Sequence, residues 1–208
     1  MSIKKFFRLL WKEQCAGCGA AQALNGCGFC PACVRNVVEV ENPAGADVLH
    51  IFRYEGPVKE SIRRFKYSGK KYYGGRFALL ASDFIRKNVR EDFDAVVPVP
   101  LHWKKEFKRG FNQSAIVASR MAGILNKKYL PGVLVKRKNT SSQTELSVEE
   151  RKKNVRGAFR ARRAHLIKGG KFLLVDDVYT SGATVREAKK TLLAGGAEKV
   201  IILTLAKA

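Results

Sequence analysis

After Cys33 the chain contains no cysteine, and all five that it has fall between positions 15 and 33. Acidic residues are scarce: eighteen Asp plus Glu stand against forty Lys plus Arg, a formal net charge of +22. No apolar run approaches the roughly 18 residues needed to cross a bilayer. The N-terminal stretch MSIKKFFRLLWKEQ mixes Lys, Arg and Trp into its apolar residues and lacks a small-residue cleavage site, so it does not read as a secretory leader. A cytoplasmic protein is expected, with an amphipathic N-terminal helix read as covering the cysteine-rich segment, contact with a membrane being the other reading. There is no Gly-x-Gly-x-x-Gly, and no Gly-Lys-Ser/Thr follows four variable residues after a glycine, which excludes the dinucleotide fingerprint and the nucleotide P-loop. Internal repeats and low-complexity tracts are missing too.

With 208 residues and 46% hydrophobic content, the chain can build one substantial core plus a small accessory module. The expected division is residues 1–42, an N-terminal helix and cysteine module, and residues 47–208, the main domain. The charge excess far exceeds what solubility requires and points to an anionic partner, nucleic acid or polyphosphate.

Clustered cysteines in a chain without a secretory signal argue for metal, because cytosolic thiols stay reduced and a C-x2-C pair offers two thiolates on one tight turn. In CAGCGAAQALNGCGFCPAC, Cys15 and Cys18 with Cys30 and Cys33 would form a four-thiolate tetrahedral zinc site. Such a site leaves no open coordination position and is structural; its binding energy would fold the segment. Cys27 could replace Cys30 at similar spacing. A redox or disulfide cluster is the competing reading.

The rest of the sequence alternates strands and helices. ADVLHIFRYEG reads as a strand, PVKESIRRFKYSGK and GRFALLASDFIRKN as helices, and FDAVVPVP as a short buried strand with its prolines at the end, where no ladder hydrogen bond is lost. NQSAIVASRMAGILNK is a helix opened by Asn112 or Ser114, GVLVKR a short strand, and KNTSSQTELSVEERKKN a polar segment without apolar periodicity, read as a mobile loop that orders around a ligand. GKFLLVDDV is a central strand, GATVREAKKTLLAG a helix and EKVIILTLA a last strand. This order implies an α/β fold with a mostly parallel sheet flanked by helices, whose ligands gather at the carboxyl ends of the strands.

That place is marked by VDDVYTSGAT. Asp176 and Asp177 would end the central strand, with at least one side chain facing the crevice. The hydroxyls of Thr180, Ser181 and Thr184, a close-approach glycine and a helix beginning near Ala183 follow them. A helix start favours phosphate. Carboxylates cannot share that spot and would accept hydrogen bonds from neutral hydroxyls nearby, so the ligand fitted is a phosphorylated polyol. Two acids merely capping a helix is the bland alternative.

The segment VDDVYTSGAT resembles the phosphoribosyl pyrophosphate (PRPP) loop of the type I phosphoribosyltransferases. The wider pattern resembles the ComF family of competence proteins, on CAGC…CPAC, YEGPVKESIRRFKYSGK, VVPVPLHWKKEFKRGFNQS, SSQTELSVEERKKNVRGAF and LLVDDVYTSGATVREA in that order. The resemblance covers nearly the whole chain. It implies a type I phosphoribosyltransferase-like domain with a small N-terminal zinc knuckle. Asp176 and Asp177, the catalytic pair, would hold the ribose hydroxyls; Thr180, Ser181, Gly182, Ala183 and Thr184 would hold the 5′-phosphate. PVPLHWKK takes the place of the pyrophosphate loop, where His102, Lys104, Arg109 and Asn112 are candidates. Arg137 and Gln143 fall in the segment resembling the flexible loop that closes over substrate. Mg²⁺ would arrive with PRPP, held mainly by the ligand's own oxygens. Ser181 replaces the threonine of many relatives and keeps the hydroxyl; Cys27 is an additional thiol.

No pocket that reads an acceptor base is visible, so activity as a pentosyl-transferring enzyme stays open. Basic residues recur with aromatics in RRFKYSGKKYYGGR and HWKKEFKRGF, the pairing that single strands require. About half of those rings, Phe65 among them, are expected to be core. RKKNVRGAFRARRAH adds a third basic cluster with a single aromatic. The resemblance thus implies a competence protein acting on incoming single-stranded DNA in natural transformation, with PRPP, single-stranded DNA and other competence proteins as partners. An ordinary phosphoribosyltransferase of nucleotide salvage is the alternative, and a PRPP sensor that alters DNA binding a third.

Overall fold

The computed structural model describes residues 14–21, 28–69, 71–140 and 148–208. Five parallel strands form the central sheet in the order β1-β7-β6-β2-β3: β1 Val48–Arg53, β7 Lys199–Lys207, β6 Lys171–Tyr179, β2 Ala95–Pro98 and β3 Lys128–Tyr129. β6 is the middle strand, as its apolar run FLLV requires of a strand covered on both faces.

Alternation along the strands assigns the two faces. Leu173, Val175, Ile201 and Leu203 pack against α2 (Gly56–Tyr67), α3 (Tyr72–Asn88) and α5 (Gln113–Leu125), through Phe65, Phe77 and Met121 among others. Phe172, Leu174, Val200 and Ile202 point the other way, onto Val185, Ala188 and Leu192 of α7 (Ala183–Ala194). The α/β class and the mostly parallel sheet are therefore as the sequence predicts.

Five elements differ from the sequence reading. Seven residues, Trp103–Arg109, form a helix, α4, inside the basic HWKKEFKRGF stretch; no apolar stripe marks it, since none of its residues is buried. α3 starts at Tyr72, three residues ahead of the expected opening at Gly75, so Gly74 lies inside a helix rather than ahead of it. A Cβ on Gly74 would come within 2.5 Å of Ile116 Cγ2 and 2.9 Å of Phe65 Cζ, so that glycine is there for close approach of α3 to its neighbours. The strand of GVLVKR, β4 (Leu134–Lys136), pairs antiparallel with β5 (Phe159–Ala161) outside the main sheet. Strand β3, only two residues long, is too short for a periodicity to reveal. Within the polar segment expected to be structureless, Val148–Val155 is a helix, α6, in keeping with its Glu, Arg and Lys content. The remainder of that segment, residues 141–147, lies outside the described residues, as do the N-terminal helix expected over residues 1–13 and the spare thiol Cys27.

The cysteine module packs on the main fold. Cys15, Ala16, Phe29, Cys30 and Cys33 are buried in the same apolar cluster as Val58, Ile62 and Tyr73 of α2 and α3. One helical turn, α1 (Pro31–Val34), carries Cys33. A Cβ on Gly17 would sit 2.8 Å from Pro57 Cβ at the start of α2, so the first knuckle turn is pressed against that helix.

Candidate functional site

β2 stops early. Its ladder with β6 runs from Ala95↔Phe172 to Pro98↔Val175, and Val99 N–H adds one bond to Val175 O at 2.9 Å. Pro100 has no N–H with which to continue. β6 runs on through Tyr179, paired only with β7 at Asp176↔Thr204, Val178↔Ala206 and Tyr179↔Lys207. The two acids thus lie within the strand rather than at its end, on the step left by its shorter neighbour.

Asp177 is buried and held by two other elements: Lys66 Nζ of α2 donates to Oδ1 at 3.0 Å, and Gln113 Nε2 of α5 donates to Oδ2 at 2.5 Å. Asp176 Oδ1 accepts from Ser114 Oγ at 2.9 Å and from the Asp177 N–H at 2.9 Å. Burial, then the Asp177 carboxylate, push the Asp176 pKa up to about 7. Burial by itself would lower Lys66, but the charge and hydrogen bond of Asp177, with help from Asp176, outweigh it and raise the ammonium above its usual range.

Beyond the acids, Thr180 is exposed, Gly182 adopts φ 74° and α7 begins at Ala183. Ser181 Oγ accepts from the Ala183 N–H at 3.4 Å. The loop rests on Tyr179: a Cβ on Gly182 would collide with the phenol, and Arg186 donates to Tyr179 Oη at 2.6 Å. Beneath lies His50, its ring 4.5 Å from that of Tyr179 and its Nδ1 2.7 Å from Thr204 Oγ1. Burial, then Lys207, lower the His50 pKa to about 4, so the imidazole is neutral.

On the other side of the step, His102 is buried at the start of α4, where Nδ1 accepts from the Lys104 N–H at 3.3 Å. Lys104 itself turns out to solvent, with Nζ 5.5 Å from the centre of the Trp103 ring. Arg109 donates to Gln113 Oε1 at 2.6 Å and lies 5.3 Å over the Tyr67 ring. Asn112 caps α5: Oδ1 accepts from the N–H groups of Ser114 and Ala115 at 3.0 and 3.4 Å, while Nδ2 donates to Val99 O at 3.1 Å. That cap holds the end of β2 beside the acids. Arg137 is exposed at the end of β4, its N–H bonded to Ala158 O at 2.8 Å; Gln143 lies outside the described residues.

Several residues that meet here were not singled out in the sequence as part of the site: Lys66, Gln113, Lys105 and Lys136, and Ser114, which was read only as a possible helix cap. Burial, then Lys105, bring Lys136 down to about 8 against the opposing pull of Asp176. Burial, then Arg109, lower Lys105 as well. The cations at this mouth repel one another, a strain that a bound anion relieves. Gln113 and Ser114 could have been noticed as the residues following the cap in NQS; Lys66 had no such signal.

The four cysteines converge. Among the described residues Cys15, Cys18, Cys30 and Cys33 place their Sγ atoms within 4.8 Å of one another, with Cys18 and Cys30 at 3.8 Å. Two thiolates on one tetrahedral zinc, each about 2.3 Å from it, stand about 3.8 Å apart. Cys30 N–H points at Cys15 Sγ at 3.2 Å. Burial works to raise the Cys15 pKa, but N–H groups of Cys30, Cys18 and Gly17 bring it down to about 6, the thiolate form a metal takes. Burial and the neighbouring thiols push Cys33 up to about 12. The donor set fits a closed four-sulfur metal site.

The basic, aromatic-rich stretches divide between core and surface. Phe65, Tyr73, Phe111 and Phe159 are buried, whereas Tyr67, Tyr72, Trp103 and Phe107 are exposed. Three of the exposed rings carry a cation: Arg109 on Tyr67, Arg76 on Tyr72 and Lys104 on Trp103. Trp103 and Phe107, four apart on α4, lie on one helix face. No helix among the described residues is long and apolar enough to cross a membrane.

Sequence comparison finds relatives along nearly the whole chain. Competence protein F of Haemophilus influenzae is 27% identical over 93% of this chain and 90% of its own length. Competence protein ComFC of Streptococcus pneumoniae is 29% identical over 97% and 84%. DNA utilization protein YhgH of Escherichia coli is 28% identical over 94% and 85%. These matches bear out the resemblance carried by the five sequence blocks. Residues 80–208, which hold β2, the acid pair and the loop that follows it, match the phosphoribosyl transferase domain, and the chain belongs to that family.

Proposed function

We propose that this protein handles incoming single-stranded DNA during natural transformation and binds PRPP at the step between β2 and β6. The observation that carries the reading is similarity over nearly the whole chain to proteins named for competence and DNA utilization. The net charge of +22 and the exposed, cation-paired rings of α2 and α4 support a single-stranded partner, whose phosphates follow cations and whose bases stack on aromatics.

For PRPP, the acids accept hydrogen bonds from the ribose hydroxyls, and the 180–184 loop with the start of α7 receives the 5′-phosphate. Lys105, Arg109 and Lys136 balance the pyrophosphate. Mg²⁺ enters on the ligand's oxygens, and zinc in the cysteine cluster is structural. Transfer at the ribose C1 asks little of the protein beyond positioning and neutralising the departing pyrophosphate; these residues supply both.

Titrating the zinc-loaded protein with a labelled oligothymidylate at increasing salt tests the DNA part: a steep fall of affinity with salt is expected, and no binding at low salt sinks it. Calorimetry with PRPP and Mg²⁺ tests the other part. Asp176→Asn should weaken PRPP at unchanged zinc content, and equal affinity in that variant contradicts the assignment. Pyrophosphate release with free nucleobases, without strand binding, would identify a salvage enzyme instead.

A further inference from the structure

Arg109 is occupied on two sides. Its guanidinium donates to Gln113 Oε1 at 2.6 Å and covers the Tyr67 ring at 5.3 Å. Gln113 uses its amide nitrogen on Asp177 Oδ2 at 2.5 Å, and the other oxygen of Asp177 takes Lys66 at 3.0 Å. Lys66 and Tyr67 are neighbours at the end of α2. These side chains close a circuit from the acid pair, through α5 and α4, to a ring that is 73% exposed. The ring borders an open concavity of about 390 Å³ lined by Arg63, Arg64, Tyr67 and Ser68, cationic and flanked by an aromatic.

We infer that this circuit gates a stacking platform: a sugar polyphosphate on the acids draws Gln113 and Arg109 off their resting partners and frees the one face of Tyr67 that Arg109 overlies for a base of a single strand. The inference rests on the functional reading above and adds a link between its two ligands. A ribose hydroxyl that donates to Asp177 Oδ2 takes the place of the Gln113 amide. A polyphosphate oxygen attracts the guanidinium more strongly than a neutral amide oxygen does, because both partners are then charged and the planar fork can bind phosphate through two parallel N–H groups. Both changes remove what now holds Arg109 over the ring. Stacking on a bared aromatic tightens strand binding, and by linkage the strand tightens PRPP binding by the same factor.

The sign separates this gate from simple competition, since a polyanion that only competes for cations weakens strand binding. The test measures the Kd of a fluorescent oligothymidylate for the full-length, zinc-loaded protein, with and without saturating PRPP and Mg²⁺. Calorimetry with PRPP, with and without the oligonucleotide, gives the reciprocal factor. The expected result is strand binding tightened about five-fold or more, an equal factor for PRPP, and a ratio near one in Tyr67→Ala. Tyr67 is exposed, so that variant folds. Unchanged or weakened strand affinity while both ligands bind overturns the gate alone, as does Tyr67→Ala retaining the full tightening. Failure of PRPP or of the strand to bind by itself overturns the functional reading, and the gate with it.

Discussion

Asp176 concentrates the tension of the site in one residue. With its folded pKa near 7 and an unfolded value near 3.9, the native state holds a proton between those limits that the unfolded chain has released. Stability therefore falls as pH rises from about 4 to about 7. Asp176→Asn keeps an acceptor for Ser114 and the Asp177 N–H while removing the charge. That variant should melt a few degrees higher than the parent at pH 8, at about 2–4 °C for each kcal/mol relieved in a chain of this size, yet bind PRPP more weakly. His50 works in the opposite sense. Its folded pKa of about 4 lies below the ordinary 6.5 or so, so the unfolded chain takes the proton first and stability drops as pH falls from about 6.5 to about 4. His50→Gln, which keeps a polar group against Thr204, should flatten that acid limb in thermal melts. Asp176 was legible in the sequence because two acids, hydroxyls and a glycine stood together. His50 and Lys66 were not, because each reaches its partner across a separate element: His50 meets Thr204 across 154 positions and Lys66 meets Asp177 across 111.

Elements were legible where burial on one or both faces wrote a period. β6, β7, α5 and α7 all stand where their apolar residues put them, and the Asn112 cap was visible as a residue type ahead of a helix. α4 was hidden because a helix with no buried residue has no stripe to read, and α3 was opened at Gly75, three residues late, because the adjacent glycines resemble a boundary. Two glycine substitutions separate conformational need from spatial need. Gly182→Ala puts a methyl against Tyr179 at φ 74°; PRPP affinity measured by calorimetry should fall at least tenfold, through a displaced phosphate loop. Gly74→Ala, in ordinary helical backbone, should instead lower stability by about 1–3 kcal/mol through overpacking on Ile116 and Phe65, measured by denaturant unfolding, with PRPP affinity per folded molecule kept.

The cysteine cluster and the sheet share one apolar interior, since Cys15, Phe29 and Cys33 are buried with α2 and α3. Stripping the metal should therefore destabilise α2, the helix that brings Lys66 to Asp177. The expected outcome of chelation is a lower melting temperature accompanied by weaker PRPP binding, both restored by added zinc; an unchanged melt would mean that the knuckle is decoration. The molecule also owes its candidate pocket to unequal strand lengths. Because β2 ends on prolines while β6 and β7 continue to Tyr179 and Lys207, one border of the middle strand has amides and carbonyls with no neighbour to zip onto. Anything that lengthened the shorter strand would heal the sheet and erase the step, so at this border the fold gives up ladder bonds, and the proposed sugar phosphate depends on that sacrifice.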